Sequence, residues 1–454
     1  MSRSNSLATL ILAAGQGTRM RSERPKVVFE VCGWPLVRHV VSAARSLKPQ
    51  QVVAVVGHGR KEVEACLVAE PGVEFTVQRK RLGTAHAVKQ GMKPLDDFEG
   101  TVLVLCGDVP LVRPATLRTF LGRHHRRGAV ASVLSACLPD AGGYGRIVRD
   151  PNGLFSDIVE AKDATREQRA IQEVNTGILA FDAAALRRGL KQVKRNNAQG
   201  EYYLTDVPAI LLAEGGTVQA VACGSDDELL GVNTFLQLSE AASRMRLRIL
   251  EEHMLAGVHV HDPSTTFVDR DVKIGRGTRI LPCTVIERDV RIGQDCEVGP
   301  FAHVRPGTVM HDGAEVGNFV ETKKTVIGAR TKAKHLTYLG DAVIGADTNI
   351  GCGTITANYD GKNKHRTTVG DRVHIGSGTV LIAPVKVGHD ATTGAGAIVR
   401  AGKNVPEGDV VVGVPARSIR GPAAQMTSPP SKKARSAVVK KPKSAPKKPK
   451  RTRR

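Results

Sequence analysis

The clearest chemical pattern in this chain lies near its N-terminus, where residues 10–26 read L-I-L-A-A-G-Q-G-T-R-M-R-S-E-R-P-K. Gly15 and Gly17 carry no Cβ atom, so the backbone there can approach a ligand closely and turn its N–H groups toward it. Arg19 and Lys26 add two positive charges to the same loop. Bare amides and nearby cations suit the phosphates of a nucleotide, so this stretch predicts a polyphosphate-binding loop.

An acidic residue follows a second apolar run, in L-C-G-D-V-P-L at residues 105–111. A carboxylate at the end of a buried strand can hold Mg²⁺ against substrate phosphates, because this hard cation prefers oxygen ligands. Asp108 is therefore a candidate magnesium ligand. Nucleotidyl transfer needs a metal and cations around the α-phosphate, and Asp108, Arg19 and Lys26 are the residue types that could supply them.

Alternating strand and helix patterns predict how these residues are positioned. Val52–Val56 and Val102–Cys106 are apolar runs that end in glycine, and Leu36–Ser46 and Thr84–Met92 have helical patterns. Strands that alternate with helices predict a mostly parallel sheet covered on both faces, which is a Rossmann-like α/β nucleotidyltransferase domain over residues 1–233. Ligands of such sheets bind at the carboxyl ends of the strands, where both motifs fall.

Aliphatic residues recur every six positions from Val268 onward, for example at Ile280 and Ile286. A fixed six-residue period predicts a hexapeptide β-helix, in which each coil buries its aliphatic side chains against the coils beside it. The period breaks at residues 321–341 and at residues 354–368. We interpret both breaks as extruded loops that carry a second site, since they concentrate histidine, tyrosine, asparagine and lysine.

Three further segments complete the predicted organisation. Residues 234–256 have many charges and no glycine or proline before 256, which predicts a connecting helix, and the β-helix then covers residues 257–420. Residues 421–454 contain twelve Lys or Arg, six Pro and no acid, out of a net charge of +22 for the chain. This composition predicts a disordered basic tail. Its charge suits a polyanion, either nucleic acid or an anionic membrane surface, and a solvated tail without a partner is the alternative.

Cysteine usage and hydropathy predict the compartment. The eight cysteines are scattered and form no C-x-x-C pair, which favours reduced thiols over disulfides or a zinc site. No run approaches twenty apolar residues, and residues 7–14 lead directly into the phosphate loop instead of forming a secretion signal. We therefore expect a cytoplasmic protein.

The order of the motifs along the chain resembles that of one family. The motifs include V-Q-R-K-R-L-G-T-A-H-A (77–87), G-Y-G-R-I-V-R (143–149), E-V-N-T-G-I (173–178), F-A-H-V-R-P-G (301–307), H-L-T-Y-L-G-D-A (335–342) and G-T-I-T-A-N-Y-D-G (353–361). Over about residues 7–420 the chain is similar to the bacterial bifunctional N-acetylglucosamine-1-phosphate uridyltransferase/glucosamine-1-phosphate acetyltransferases.

The resemblance implies a fold and a function for each half. The β-helix would be left-handed and would assemble as a homotrimer. It would transfer an acetyl group from acetyl-CoA to glucosamine 1-phosphate. The first domain would then transfer uridylyl from UTP to N-acetylglucosamine 1-phosphate with Mg²⁺, releasing pyrophosphate and yielding UDP-N-acetylglucosamine, a cell-wall precursor.

The resemblance also implies roles for residues of the first domain. Arg19 and Lys26 would be catalytic residues that contact the phosphates, and Asp108 and Asn233 would bind Mg²⁺. The residues that would bind UDP-N-acetylglucosamine are Leu12, Ala13, Ala14, Gly15, Lys26, Gln78, Gly83, Thr84, Cys106, Gly107, Asp108, Gly145, Glu160, Asn175 and Asn233.

In the β-helix the resemblance implies His335 as general base. An amine that attacks a thioester must lose a proton, and histidine titrates near neutral pH. Lys332 and Lys334 lie beside His335 in the sequence and would favour its neutral, basic form. The residues that would bind glucosamine 1-phosphate are Arg305, Lys323, Tyr338 and Asn349. Those that would bind acetyl-CoA are Cys352, Asn358, Tyr359, Ser377 and Ala395.

Two residues depart from the family pattern. The sequence is also compatible with two other functions. Gln16 stands where many relatives have lysine, and Gly413 stands where some carry an arginine near the coenzyme. The chain could use another sugar 1-phosphate and a different acyl acceptor, or it could be a regulatory relative without activity. Intact Lys26, Asp108 and His335 favour an enzyme.

Overall fold

The computed structural model describes residues 6–222, 228–229 and 231–419. The predicted basic tail at residues 421–454 lies outside these described residues. Within them, no helix is both long enough and apolar enough to cross a membrane. An α/β domain comes first, a long helix follows it, and a parallel β-helix completes the described part of the chain.

The α/β domain is built on a nine-stranded sheet with the order β11-β7-β10-β6-β1-β4-β5, and β8 and β9 extend it beside β10. Its strands, with the separate β2–β3 pair, are β1 (Leu7–Ala13), β2 (Glu30–Val31), β3 (Trp34–Pro35), β4 (Gln51–Val56), β5 (Val73–Val77), β6 (Thr101–Cys106), β7 (Ala131–Cys137), β8 (Arg146–Arg149), β9 (Phe155–Val159), β10 (Glu173–Asp182) and β11 (Val218–Ala222). Strand β1 pairs in parallel with β4 and β6, and β11 pairs in parallel with β7. Only β10 and the β8–β9 pair run antiparallel to their neighbours in this sheet, so it is mostly parallel, as predicted.

Helices cover both faces of this sheet. They are α1 (Leu36–Arg45), α2 (Arg60–Cys66), α3 (Thr84–Gly91), α4 (Pro114–Arg126), α5 (Arg166–Arg169), α6 (Ala183–Gln192) and α7 (Asp206–Ala213). Along β6, Leu103 belongs to the buried cluster on one face, and Val102 and Val104 belong to the cluster on the other. Because both faces of the central strands are buried, these strands read as continuous apolar runs instead of alternating patterns.

The parallel strands end at one edge of the sheet and gather the predicted motifs there. Leu12 is in register with Val55 on one side and with Cys106 on the other. The Gly107 N–H donates to the Leu12 carbonyl at 2.9 Å, and the Gln78 N–H donates to the Val56 carbonyl at 2.8 Å. The phosphate loop, Gln78 and the segment that carries Asp108 therefore lie along the same edge.

Helix α8 (Phe235–Leu255) lies where the connecting helix is predicted and contacts both domains. Met245 and Ile249 belong to the same buried cluster as the first coils of the β-helix. On the other side, the Arg248 guanidinium donates to the Leu111 carbonyl at 2.6 Å.

The second domain coils into a prism with three parallel ladders, which we name face A, face B and face C. Face A contains His259–Val260, Arg279–Ile280, Glu297–Val298, Asn349–Ile350, His374–Ile375, Thr392–Thr393 and Val410–Val412, on which Arg417–Ser418 closes antiparallel. Face B contains Phe267–Val268, Val285–Ile286, His303–Val304, Ile355–Ala357, Val380–Ile382 and Ile398–Val399. Face C contains Lys273–Ile274, Arg291–Ile292, Val309–Met310, Val326–Ile327, Ala342–Ile344, Thr367–Val369 and Val385–Val387. Two longer strands, Glu315–Lys323 and Lys332–Gly340, cross the corner between face A and face B.

The six-residue period places aliphatic side chains inside this prism. Val298, Val304 and Met310 follow one another at this spacing and are at most 2% exposed. Threonines also point inward, and Thr331 shows how they are satisfied. Its hydroxyl donates to a carbonyl of the next coil at 2.6 Å and accepts from the Thr348 N–H at 3.0 Å. Because such bonds satisfy the hydroxyl, its burial in the narrow core avoids the free-energy cost of an unpaired polar group.

The interpretation of residues 321–341 as an extruded loop is wrong. Glu315 pairs with Lys332, and Lys332 pairs with Asn349, so these coils repeat after 17 residues instead of 18. Each of these two coils is one residue shorter than the usual 18-residue coil. A coil that is one residue short shifts the six-residue pattern just as an insertion would. His335 therefore lies on a strand that crosses a corner, and not in a loop.

The second break is an insertion. Asn349 pairs with His374, which is 25 positions later, and the following coil returns to 18. The additional residues include Tyr359 and Lys364, which form an isolated bridge with each other. This segment projects from the prism between face B and face C, where the sequence analysis places part of the acetyltransferase site.

Candidate active sites

A cleft of about 560 Å³ opens at the edge of the sheet where the parallel strands end. Eight residues predicted to bind UDP-N-acetylglucosamine, phosphate or metal line it. They are Arg19, Lys26, Cys106, Asp108, Gly145, Glu160, Asn175 and Asn233. Because these residues come from separate segments of the chain, the fold assembles them.

Two cations and two oxygen ligands form one network in this cleft. The Lys26 ammonium pairs with the Asp108 carboxylate and donates to Asn233 Oδ1 at 2.6 Å. The Arg19 guanidinium donates to the same Asn233 oxygen at 2.7 Å. The Val232 N–H donates to the Asp108 carbonyl at 2.9 Å, which ties the two distant segments together. Asp108 and Asn233 therefore point their oxygens at a common position.

A polar wall stands on the other side of the cleft. The Thr205 hydroxyl donates to Glu160 Oε1 at 3.0 Å. Burial raises the pKa of the Glu160 carboxyl, and the bond from Thr205 opposes that effect. The Asn175 N–H donates to the Gly145 carbonyl at 2.8 Å, and the Asn175 side-chain oxygen accepts from the Gly177 N–H at 2.9 Å. These groups could bind the hydroxyl and amide groups of a sugar.

Cys106 lines the cleft beside this polar wall, and its side chain is a neutral thiol. Its Sγ donates to the Gly177 carbonyl at 3.5 Å, and burial raises the pKa of the thiol to about 12. Gly177 has φ +79°, and a Cβ there would come within 2.8 Å of the sulfur. Cys106 therefore shapes the cleft and is not an activated nucleophile.

The predicted nucleotide-binding residues build a second wall from α3 and the loop before it. The Gln78 side-chain amide donates to the Gly83 carbonyl at 3.0 Å. Gly83 has φ +109°, and a Cβ there would come within 2.4 Å of the Tyr202 carbonyl. The Thr84 hydroxyl accepts from the Leu204 N–H at 2.9 Å, so this side chain fixes the wall through the protein backbone.

The remaining predicted residues of this domain belong to the strand ends at the same edge. They are Leu12, Ala13, Ala14, Gly15 and Gly107. A Cβ at Gly15 would meet nothing within 4 Å, so the loop is open there to an approaching ligand.

Among the cleft residues that the sequence analysis missed, two accept hydrogen bonds from the segment that carries Asn233. Tyr144 accepts from the Gly231 N–H at 3.1 Å, and burial raises the pKa of its phenol. Gln237 accepts from the Asn233 N–H at 2.8 Å through its side-chain oxygen. Tyr144 lies inside the G-Y-G-R motif, so an aromatic residue among glycines was the available signal. Gln237 lies on α8, where the sequence shows only a connecting helix.

Four predicted residues of the β-helix stack at the corner between face A and face B. In successive coils they are His335, Cys352, Ser377 and Ala395. The coils are joined at this corner because the Gly378 N–H donates to the Cys352 carbonyl at 2.7 Å and the Gly396 N–H donates to the Ser377 carbonyl at 2.7 Å. The candidate base and three candidate acetyl-CoA residues thus form one column.

Three cations gather at the opposite end of face B. The Arg305 guanidinium donates to Glu321 Oε1 at 2.6 Å, and Glu321 is in register with Tyr338. Lys364 and Arg305 lower the pKa of the Lys323 ammonium through a hydrogen bond and repulsion, respectively. Convergent cations of this kind favour a phosphate ligand. Lys364 was missed because the sequence placed it only in an insertion.

Asn358 and Asn349 lie on different sides of this surface. Asn358 donates to the Asp341 carboxylate, and the Asp341 N–H donates to the Lys323 carbonyl at 2.9 Å, which places Asn358 near the cations. Asn349 instead lies on face A, where it pairs with Lys332. Within one chain the structure brings Arg305, Lys323 and Tyr338 together, whereas Asn349 lies on the adjacent face A.

The surroundings of His335 differ from the sequence expectation. Lys332 pairs with Glu315 at 3.2 Å, and Lys334 pairs with the same carboxylate. Both cations are therefore engaged on face A by an acid that lies 17 residues upstream of Lys332. The sequence analysis predicted the two cationic neighbours of His335 but not the carboxylate that pairs with both of them.

Comparisons with known proteins divide the chain in the same way. The family model for MobA-like NTP transferase domains matches residues 9–177, and the model for bacterial transferase hexapeptides (six repeats) matches residues 289–324. These matches confirm the predicted fold class, a nucleotidyltransferase domain followed by a left-handed parallel β-helix.

Relatives match most of the chain. It is 44% identical over 423 residues to the bifunctional protein GlmU of Shouchella clausii, which covers 86% of this chain and 93% of the relative. It is 42% identical over 460 residues to the bifunctional protein GlmU of Thermobifida fusca, with 93% and 95% covered. For the bifunctional protein GlmU of Listeria monocytogenes the identity is 43% over 431 residues, with 88% and 93% covered. The chain therefore belongs to the bifunctional GlmU family, which confirms the pairing of uridylyltransferase and acetyltransferase that its motifs predict.

Proposed function

We propose that this chain makes UDP-N-acetylglucosamine in two steps at two separate sites. The β-helix acetylates glucosamine 1-phosphate, and the α/β domain joins the product to the uridylyl group of UTP. One observation carries the first-domain assignment: Arg19, Lys26, Asp108 and Asn233 share one hydrogen-bonded network in a cleft that sugar-type polar groups also line.

In uridylyl transfer, a phosphate oxygen of N-acetylglucosamine 1-phosphate attacks the α-phosphorus of UTP. The bond between that phosphorus and the bridging oxygen breaks, and the oxygen leaves with pyrophosphate. Arg19 and Lys26 neutralise the charge that builds on the transferring phosphate. Glu160 and Asn175 orient the sugar, and the wall of Gln78, Gly83 and Thr84 holds the nucleotide. Positioning of the two phosphates accounts for most of the rate in this type of reaction.

The residues present fit Mg²⁺. The Asp108 carboxylate and the Asn233 carbonyl oxygen are hard ligands, and they already converge on a cation, the Lys26 ammonium. Within the described ranges no group of three or more His, Cys, Asp or Glu side chains is arranged to hold a metal, so substrate phosphates and water would supply the other ligands. When bound, the ion would neutralise phosphate charge and would free Lys26 to contact phosphate.

In acetyl transfer, the amine of glucosamine 1-phosphate attacks the thioester carbon of acetyl-CoA. His335 takes the proton from the amine, the carbon–sulfur bond breaks, and the thiolate of CoA leaves. Arg305, Lys323 and Lys364 would hold the sugar phosphate, with Tyr338 beside them. The coenzyme would lie along the column of Cys352, Ser377 and Ala395, with Asn358 and Tyr359 in contact.

An exposed apolar column supports assembly with other copies of the chain, and we propose the homotrimer that the family resemblance implies. Phe301, Phe319 and Leu336 are 50%, 58% and 61% exposed at the corner that carries His335, and the two phenyl rings stack at 5.2 Å. Such a patch favours burial against another copy. A second copy would wall in the coenzyme, and it could bring its own Asn349 to a site that one chain leaves incomplete.

Thiol chemistry supports a cytoplasmic location. The eight cysteines are scattered along the chain and form no C-x-x-C pair, which favours reduced thiols in a reducing compartment. The basic residues at 421–454 are proposed to contact a polyanion through charge alone.

Isolated assays test the two-step proposal. Purified protein is given glucosamine 1-phosphate and acetyl-CoA in one reaction, and N-acetylglucosamine 1-phosphate, UTP and Mg²⁺ in another. We expect free CoA in the first reaction and UDP-N-acetylglucosamine with pyrophosphate in the second. Equal turnover of glucose 1-phosphate in the second reaction would contradict the assignment of the sugar, and no turnover of any sugar phosphate would contradict the enzyme.

A further inference from the structure

Arg81 places a third cation against the phosphate loop. Its Nη1 donates to the side-chain oxygen of Gln16 at 2.5 Å, and Gln16 lies between Gly15 and Gly17 in that loop. We propose that Arg81 is a phosphate-binding residue that holds the β- and γ-phosphates of UTP and then the departing pyrophosphate. This inference rests on the proposed uridylyl transfer.

The two other cations of the loop lie in the cleft. Arg19 and Lys26 both donate to Asn233 and line the same cleft as Gly145, Glu160 and Asn175, where the sugar phosphate would enter. Arg81 is not among the residues that line this cleft. It belongs to the segment after Gln78, whose side chain braces the nucleotide wall. Arg81 thus approaches the loop from the side of the nucleotide.

That placement suits the geometry of the reaction. The attacking and leaving oxygens of phosphoryl transfer lie roughly in line on opposite sides of the phosphorus. The sugar phosphate would attack from the cleft wall that contains Glu160 and Asn175, so pyrophosphate would leave toward the opposite side. A cation there stabilises charge that develops only as the bond to the leaving group breaks.

The charge on Arg81 is available for this role. Among the described residues, Arg81 bonds to the neutral side-chain amide of Gln16 and pairs with no carboxylate. The side chain is exposed, so a ligand can reach it. A planar guanidinium can bind two phosphate oxygens at once, and Gln16 holds one of its nitrogens at the edge of the loop.

Four variants separate phosphate binding from a merely structural role. Arg81→Ala removes the cation, and Arg81→Lys keeps a charge but loses the bidentate fork. Gln16→Ala removes the contact with the loop and keeps the cation. Lys80→Ala removes one charge from the neighbouring position as a matched control.

The KM values are measured in both directions, for UTP and N-acetylglucosamine 1-phosphate forward and for pyrophosphate and UDP-N-acetylglucosamine in reverse. Arg81→Ala is expected to raise the KM for UTP and for pyrophosphate roughly tenfold, as the loss of a charged hydrogen bond does. The KM for N-acetylglucosamine 1-phosphate and all constants of Lys80→Ala should stay within about twofold. Arg81→Lys should fall between the alanine variant and the wild type.

A rescue experiment completes the test. Gln16→Lys in the Arg81→Ala background returns a cation to the loop and is expected to recover most of the affinity for UTP. Arg81 would be structural if Gln16→Ala reproduced the effect of Arg81→Ala, and an unchanged KM for both UTP and pyrophosphate in Arg81→Ala would overturn the proposal. Binding of pyrophosphate measured by calorimetry, weaker in Arg81→Ala than in the wild type, tests Arg81 even if the sugar substrate is wrongly assigned.

Discussion

The cleft of the α/β domain and the corner of the β-helix differ in how much of a site one chain completes. In the cleft, Lys26, Asp108 and Asn233 come from distant segments and are bonded to one another. At the corner, His335 is exposed, and the residues predicted to act with it are spread over two faces. The first region is a hydrogen-bonded network within one cleft. The second is a solvent-exposed column of residues beside the exposed Phe301 and Phe319.

The difference follows from the two architectures. Parallel strands with crossover helices all end at one edge, and the loops that follow them enclose a crevice. A solenoid repeats the same surface from coil to coil, so its residues form columns on flat faces and convex corners. A ligand pocket needs concave walls. We infer that the first site works within one chain and that the second needs a neighbouring copy.

The largest expected effect separates the two sites outright. Asp108→Asn or Lys26→Ala removes a charge from the network around the transferring phosphate, and uridylyl transfer should fall by at least about 10³-fold. Acetyl transfer by the same protein should be unchanged, because His335 lies in the other domain. Both activities are measured on protein whose circular dichroism matches the wild type. Loss of both in folded protein would refute separate sites.

The reciprocal change acts on the β-helix. His335→Ala removes the proposed base, and acetyl transfer should fall by a factor on the order of 10²–10⁴. Uridylyl transfer should persist, because His335 lies on a strand of the β-helix and the cleft lies in the α/β domain. His311→Ala changes a β-helix histidine outside the corner column and serves as the control. Near wild-type acetylation by His335→Ala would identify another base.

A smaller effect sharpens the account of the sugar wall. Thr205→Val removes the hydrogen bond to Glu160 and should raise the KM for N-acetylglucosamine 1-phosphate roughly tenfold. That bond opposes the raised pKa of Glu160, so its loss should raise the pKa further. Protonation would then begin at higher pH, and the acidic limb of the pH–rate profile should move upward. Thr205→Ser restores a hydroxyl and should return both properties, whereas a profile unmoved in Thr205→Val would exclude this role for Glu160.

The smallest effect concerns the basic residues 421–454, which we expect to be dispensable for both activities. Removal of residues 421–454 should leave both activities within about twofold. If the polyanion is nucleic acid, the full chain should bind unrelated DNA duplexes, and with about eight phosphates engaged log K should fall with log salt at a slope of roughly −7. A salt titration of both forms makes the comparison. Equal binding by the two forms would show that the contact lies elsewhere.

Sequence patterns were sufficient to predict the structure where the spacing of apolar residues directly indicates which side chains are buried. The apolar runs predicted the parallel strands and their common edge, and the six-residue repeat predicted the inward positions that Val298 and Val304 occupy. They failed at residues 321–341, because a coil shortened by one residue changes the phase as a loop does. Only the pairing of Glu315 with Lys332 distinguishes the two.

The sequence patterns also failed to predict contacts between distant segments of the chain. The pairing of Lys334 with Glu315 and the bond from Arg81 to Gln16 both alter the electrostatics of a predicted site. Each joins side chains whose proximity depends on the completed fold, so neither composition nor spacing could indicate it. Residues inside motifs were assigned roles from the sequence, whereas a partner outside them, such as Gln237, was not.

The central claim is that one chain completes the first site and needs a neighbour to complete the second, and a monomeric variant tests it most directly. Phe319→Asp puts a charge into the exposed column, and the left-handed backbone there (φ +55°) suits aspartate better than phenylalanine. Leu154→Asp makes the same change at an exposed site of the α/β domain as a control. Light scattering should report a monomer for Phe319→Asp, with uridylyl transfer intact and acetyl transfer largely lost. A monomer that keeps full acetyltransferase activity would contradict the account.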